Sequence, residues 1–354
     1  MRFPDFIKRG NTIAIAAPSF GATSEPYKTR LEHAVKNFES RGYNVIIGDC
    51  CLKSDGLGIS TDPKVAAAEL ENFYTNDKIS AIFSCGGGEM MCETLSFIDF
   101  DRIKSAKPKW FIGFSDNTNF IFPLATMCGT AGIYAQNAAG FGKAWEKSEE
   151  DTFNLLEGSC LCVHGYEKFQ NPLKEPPIPP QEKDPLAPYD LNDTKILTSF
   201  VSKNGKLCRA EPGEKIRFSG VLLGGCLDVL VTLSGTRFDA VKSFNNRGEK
   251  TVWVLEACDY NPSDIRRAFW HLRESGWFKN ASGFIIGRPL AAFGQEIFGI
   301  NRFNAVTDIL NNFNVPVIFD ADVGHIPPAM PLIIGSKADV FVQDNDISIK
   351  MTLK

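Results

Sequence analysis

The chain has 354 residues, with 38 Lys and Arg against 42 Asp and Glu, a formal net charge of −4. That balance leaves no basic excess to follow a phosphate backbone, which argues against a nucleic-acid partner. The 28 Phe, 5 Trp and 7 Tyr exclude a largely disordered chain, and the length suggests about two domains.

Thr12–Ala16 reads as a first strand. The apolar run Ile13–Ala17 is too short for the core of a signal peptide, and Pro18 ends it. Pro26–Arg41 has helical period, with Leu31, Val35 and Phe38 on one face, and stops at Gly42. Tyr43–Ile47 is a strand. Thr61-Asp62-Pro63 opens a helix that runs to about Tyr74, with a capping residue before an early Pro. Ile79–Ser84 is a strand running into Gly86-Gly87-Gly88, and Glu89–Ile98 reads as helix. Trp110–Ile112 is a strand, followed by Gly113-Phe114-Ser115-Asp116 and a helix from about Asn117. Ala131–Tyr134 closes the series. Strand and helix alternating at this spacing predict an α/β fold with a parallel sheet covered by helices.

The texture changes from Val163 to Gly213. Asn171–Pro188 holds seven of the 20 prolines and reads as a loop, either a cover for a cleft or a passive tether. A second α/β unit follows. Its expected strands are Ile216–Leu223, Thr251–Leu255, Gly283–Ile286 and Val315–Phe319. Its expected helices are Leu227–Leu233, Pro262–Trp277 and Asn301–Phe313. Short strands at Leu332–Ile334, Ala338–Val342 and Ile347–Met351 form an antiparallel tail. The expected division is 1–160, a linker at 161–212, and 213–354. The apolar stretch Phe120–Ala135 is interrupted by Pro123, Gly129, Thr130 and Gly132, so no membrane span is expected. The ten cysteines are scattered and read as buried thiols, which suggests a cytoplasmic protein. With four His and no CxxC pair, no metal and no cofactor are expected.

In open α/β sheets ligands collect beyond the carboxyl ends of the strands. Ser115 stands there, between a strand and a helix and two residues after Gly113. That is the setting of a nucleophile elbow, although Asn117 replaces the usual second glycine. The same residues also suit a helix cap, with Ser115 or Asp116 closing the first turn. A serine nucleophile needs a base. His33 lies on a charged helix face, and His271 lies beside Trp270 in an amphipathic helix. His164 precedes the proline-rich loop. His325 follows Gly324 on a post-strand loop and is the best placed of the four, with His164 second. Glu256 ends the apolar strand Val252–Leu255, where a carboxylate needs a partner. It is the first choice to orient the base, with Asp259 second. The Asp116 amide and a glycine amide from Gly86–Gly88 are the expected oxyanion donors. A phosphate cradle is the rival reading of those glycines, without a supporting motif.

Ala16-Ala17-Pro18-Ser19, Gly87-Gly88, Gly113-Phe114-Ser115-Asp116-Asn117-Thr118, Gly224-Gly225-Cys226-Leu227, Leu255-Glu256 and Gly324-His325 occur in order along nearly the whole chain. In this set the chain resembles the LD-carboxypeptidase family of serine peptidases. That family includes murein tetrapeptide carboxypeptidases and microcin C self-immunity hydrolases. The resemblance implies Ser115 as nucleophile, His325 as general base, Glu256 as its partner, and oxyanion donors at the amides of Gly88 and Asp116. It further implies a flavodoxin-like N-terminal domain, a C-terminal domain facing it across the active-site cleft, and a homodimer. The implied substrates are a murein-type tetrapeptide that loses D-alanine, or a peptidyl-nucleotide. Two departures weigh against a murein substrate: Gly86 where murein-acting members often carry Arg, and the length of Val163–Gly213, which is closer to the immunity branch. That segment offers Tyr166, Phe169 and Tyr189 but no Trp for stacking on a base, so both branches stay open. Two rival readings are a two-domain ligand-binding protein that closes between α/β lobes and needs no nucleophile, and an α/β-hydrolase built on one contiguous sheet.

Overall fold

The computed structural model describes residues 1–176 and 180–354, the side chains of 181 and 182 excepted. Residues 177–179 of the proline-rich stretch lie outside the described residues. The chain forms two compact units. The first comprises 1–160, 176–188 and 331–334; the second comprises 161–175, 189–330 and 335–354.

The first unit is built on a sheet of five parallel strands in the order Asn44–Ile47, Thr12–Ala16, Ile79–Ser84, Trp110–Gly113, Gly132–Tyr134. Numbered along the chain this is 2-1-3-4-5, the flavodoxin-like order. Four of these strands read as nearly continuous apolar runs because both faces of the sheet are covered. Leu332–Ile334, expected in the second unit's tail, instead pairs antiparallel with Gly132–Tyr134. All three of its side chains are fully buried, so this apolar run completes the edge of the sheet.

The helices follow local chemistry. Asp62 caps Pro63–Thr75 by accepting from the Lys64 and Val65 amides. Tyr27–Ser40 turns Leu31, Ala34 and Phe38 inward. Phe38 meets Phe83, Phe141 and Phe153 at ring separations of 5.0, 5.5 and 5.4 Å. The helix expected over Glu89–Ile98 is only Met91–Leu95. Phe100–Ser105 and Lys147–Glu157 are among the helices not foreseen. The first is capped by Asp99; the second is opened by a Glu146/Glu149 capping box and stopped by left-handed Gly158.

The second unit carries a nine-stranded mixed sheet. Its centre is parallel: Val317–Ala321, Ala281–Gly287, Thr251–Glu256 and Lys215–Cys226. Antiparallel strands extend both sides. Residues 161–212, expected as linker, supply three of them: Cys162–His164 at one edge, and Thr198–Lys203 with Lys206–Arg209 at the other. Trp253 packs on Trp277 at 5.9 Å and on Phe278 at 5.2 Å to centre this unit's core. The six- and nine-stranded sheets are separate, which overturns the single-sheet α/β-hydrolase reading. Among the described residues no helix is long and apolar enough to cross a membrane.

Candidate active site

Ser115 follows Trp110–Gly113 at the carboxyl end of its strand and opens a short 3-10 turn into the helix Thr118–Thr126. Its φ is +63°, a left-handed backbone conformation that is unfavourable for a residue with a Cβ. Three contacts hold the turn. The Ser115 amide donates to the Tyr134 hydroxyl at 3.0 Å. The Asn117 side chain donates to the Gly86 carbonyl at 2.9 Å and to the Phe114 carbonyl at 3.1 Å. Asn117 itself has an ordinary helical φ of −66°. The strain therefore falls on the serine, and the asparagine works as a cross-link where an elbow usually has glycine.

Neither end of this turn is closed by a side-chain cap. The Asp116 carboxylate points elsewhere. It accepts from the Ser19 hydroxyl at 2.5 Å, the Met91 amide at 2.9 Å and Asn119 Nδ2 at 2.8 Å. Burial pushes its carboxyl above the usual range, against the pull of those donors. These bonds join the Asp116 turn to the segment that follows Gly88. Gly88 has φ +144°, and a Cβ there would run into the Ser19 hydroxyl and the Phe20 ring. The Gly87 carbonyl accepts from the Phe20 amide at 2.9 Å. In a trans peptide the Gly88 N–H points the opposite way, away from Phe20.

In the second unit Glu256 ends Thr251–Glu256 and is 2% exposed. His325 sits on the loop after Val317–Ala321. Its Nδ1 lies 2.8 Å from Glu256 Oε2; the carboxylate accepts a hydrogen bond from Nδ1–H, which leaves Nε2 as the acceptor of the neutral ring. Burial works against charge on this ring. The charge of the Glu256 carboxylate, with the ring's hydrogen bonds to Cys258 and Glu256, outweighs it and holds the imidazole well above 6.5. Gly324 has φ +103°, and a Cβ there would collide with the Glu256 side chain; a Cβ on Gly287 would crowd Glu256 and the Val323 carbonyl. Two glycines thus make room for the carboxylate.

The other candidates fall away from this arrangement. His164 lies exposed on an edge strand, 3.7 Å from Cys162 Sγ. Asp259 is exposed, and its amide donates to Asp228 Oδ1; the helix that follows is capped by Asn261. Tyr166 and Phe169 are buried, and Phe169 is packed under Arg288 and against Phe293. The Phe169 ring is thus already engaged within the unit. Among the described residues no group of three or more His, Cys, Asp or Glu is arranged to hold a metal ion.

Sequence reasoning missed Asp322, which is fully buried. It pairs with Arg288 Nη2 at 2.5 Å and Lys195 Nζ at 3.6 Å, and accepts the Tyr166 amide at 2.7 Å. Its carbonyl takes the Met330 amide at 2.7 Å and so closes the loop that bears His325. The available signal was an acidic residue in the apolar run before Gly324.

A serine on a strained strand-to-helix turn and a carboxylate-held imidazole, each beyond the carboxyl end of a parallel strand, are side chains of the kind that serine peptidases use. Residues 13–135 match the LD-carboxypeptidase N-terminal domain, and residues 219–340 match the LD-carboxypeptidase C-terminal domain. The chain belongs to the LD-carboxypeptidase family. It is 26% identical over 355 residues to the microcin C7 self-immunity protein MccF of Escherichia coli, across 96% of this chain and 93% of that protein. In fold it is similar to an MccF-like protein from Bacillus anthracis, with a TM-score of 0.77 at 21% identity over 99% of this chain and 100% of the other. It is equally similar to MccF in complex with glutamyl sulfamoyl guanosine, with a TM-score of 0.77 at 21% identity over 99% and 98% of the two chains.

Proposed function

We propose that the protein is a serine hydrolase that cleaves a C-terminal amide through an acyl-enzyme. Ser115 is the nucleophile and His325 Nε2 takes its proton. Glu256 holds the ring in the required tautomer and stabilises the imidazolium. The oxyanion rests on the amides of Gly88 and Asp116. The amine then leaves with a proton from the imidazolium, and water releases the acid. The observation that carries this reading is the left-handed backbone of Ser115, strain kept at a strand-to-helix turn where a nucleophile is presented.

The family's carboxypeptidase chemistry makes the first substrate a murein-type tetrapeptide that releases D-alanine. A second reading, cleavage of an aminoacyl- or peptidyl-nucleotide amide, is favoured by likeness along 96% of the chain to a microcin self-immunity protein. Incubation with both substrates, followed by mass spectrometry of the products, separates them. Assembly as a homodimer belongs to the same reading and is checked by light scattering.

Groups that act as one unit are non-additive when removed. Ser115→Ala and His325→Ala should each lower turnover by several orders of magnitude, and the double variant should be little worse than either alone. Near-native hydrolysis by Ser115→Ala would reject the mechanism. Independent, multiplicative losses would separate His325 from the nucleophile.

A further inference from the structure

Asn137 opens the turn Ala138–Gly142, three residues past the strand Gly132–Tyr134. It is 7% exposed. Its Oδ1 takes two donors, the Phe114 amide at 3.2 Å and Asn117 Nδ2 at 3.1 Å. Those bonds settle which way the side-chain amide faces, because only the oxygen accepts. Nδ2 then brings two N–H donors to the other side, with no protein acceptor for them among the described residues. It stands 3.5 Å from the point that a Cβ on Gly87 would occupy. Ser115 Oγ and Cβ each stand 3.4 Å from that same point. Gly87 therefore leaves a methyl-sized gap bordered by the serine hydroxyl and an unspent amide donor. The residue is nearly buried and the donor faces the gap, so a partner supplied from outside the chain is its natural complement.

We propose that Asn137 Nδ2 is a third hydrogen-bond donor to the substrate, aimed at the oxygen that gains charge when Ser115 adds to the carbonyl. This rests on Ser115 being the nucleophile. In the step concerned, the Oγ–C bond forms, the carbonyl π pair moves onto oxygen, and the base removes the hydroxyl proton. The Asn137 N–H donates throughout and transfers no proton. Collapse returns the pair to carbon and breaks the C–N bond, and the imidazolium protonates the departing amine. Asn117 is the positioning residue that orients Asn137.

Asn137→Asp keeps an oxygen for Phe114 and Asn117 but removes the N–H pair. Asn137→Ala removes both without adding charge. Loss of one oxyanion donor should lower kcat by about 100-fold or more in both variants, with KM little changed. Affinity for a boronate analogue of the acyl group should fall in parallel. A rise in KM at unchanged kcat would make Asn137 a ground-state contact and overturn the proposal, as would full activity in either variant. In unmutated protein the Asn137 side-chain amide resonance should move when the boronate adduct forms; an unmoved resonance also overturns it, whatever the stability of the variants. Activity surviving in Ser115→Ala would instead remove the underlying mechanism. An inactive Ser115→Ala beside fully active Asn137 variants would remove this inference alone.

Discussion

The charge on one imidazole sets the pH at which the proposed base works. His325 is held well above 6.5 because the Glu256 carboxylate outweighs the effect of burial. A general base must be neutral, so the acidic limb of the kcat/KM profile should have its midpoint above pH 6.5. Glu256→Gln removes the charge and keeps the burial, so the limb should move to lower pH. Turnover should fall by about 10⁴, as when the orienting carboxylate of a serine triad becomes an amide. A limb that stays in place would show that Glu256 does not face the titrating group. The stability sign is opposite. A raised pKa stabilises the fold below the unfolded value, and that contribution is lost as pH rises through the folded one. Gly324 is a second test at this scale. Gly324→Ala puts a Cβ at φ +103° and into Glu256. Left-handed backbone alone is unfavourable by roughly 1–2 kcal/mol for such a residue. Both lower stability and lower kcat are expected, read by urea unfolding and steady-state kinetics.

At the scale of elements, the strands that lead to the candidate residues were legible as short apolar runs, Trp110–Gly113 ending in a glycine and Thr251–Glu256 in a charged residue. The strands Thr12–Ala16 and Ile79–Ser84 and the helix Leu227–Leu233 have the bounds expected from sequence. The resemblance placed Glu256 and His325 in one site, and the structure brings them to 2.8 Å. Asn137 and Asp322 were not legible, since their importance comes from neighbours far away in the chain. The proline-rich texture of 171–188 also hid the strands on either side. Asp322 shows how an element depends on such a residue, because it ties the His325 loop to Arg288, Lys195 and the Tyr166 amide. The Arg288 and Lys195 side chains are 2% and 4% exposed. Asp322→Ala strands two buried cations, and removing one partner of a buried pair is destabilising by about 3–5 kcal/mol. Urea unfolding should show a loss of that size. A change within about 0.5 kcal/mol, typical of surface substitutions, would mean that the cations find other partners.

At the scale of the whole molecule, neither unit is one continuous stretch of chain. The first unit takes Leu332–Ile334 from near the carboxyl end, where it covers the edge strand Gly132–Tyr134. The second takes Cys162–His164, Thr198–Lys203 and Lys206–Arg209 from the segment that precedes its central strands. Cutting at the divisions that composition suggests would therefore strip edges from both sheets. A fragment 1–160 loses the cover of Ile133, and a fragment 213–354 leaves Val317–Ala321 and Asp346–Thr352 unpaired on one side. Val163 and Leu207 are buried in the intact chain, so apolar contact is lost along with backbone hydrogen bonds. Uncovered apolar edges pair with one another between molecules. Expressed alone, both fragments should aggregate or melt without a cooperative transition, while a chain with intact 161–212 and 331–334 should not. Circular dichroism melts and sedimentation measure this directly. Two soluble fragments, each melting cooperatively at the temperature of the full chain, would mean that these late and early strands are ornaments on self-sufficient units rather than parts of their sheets.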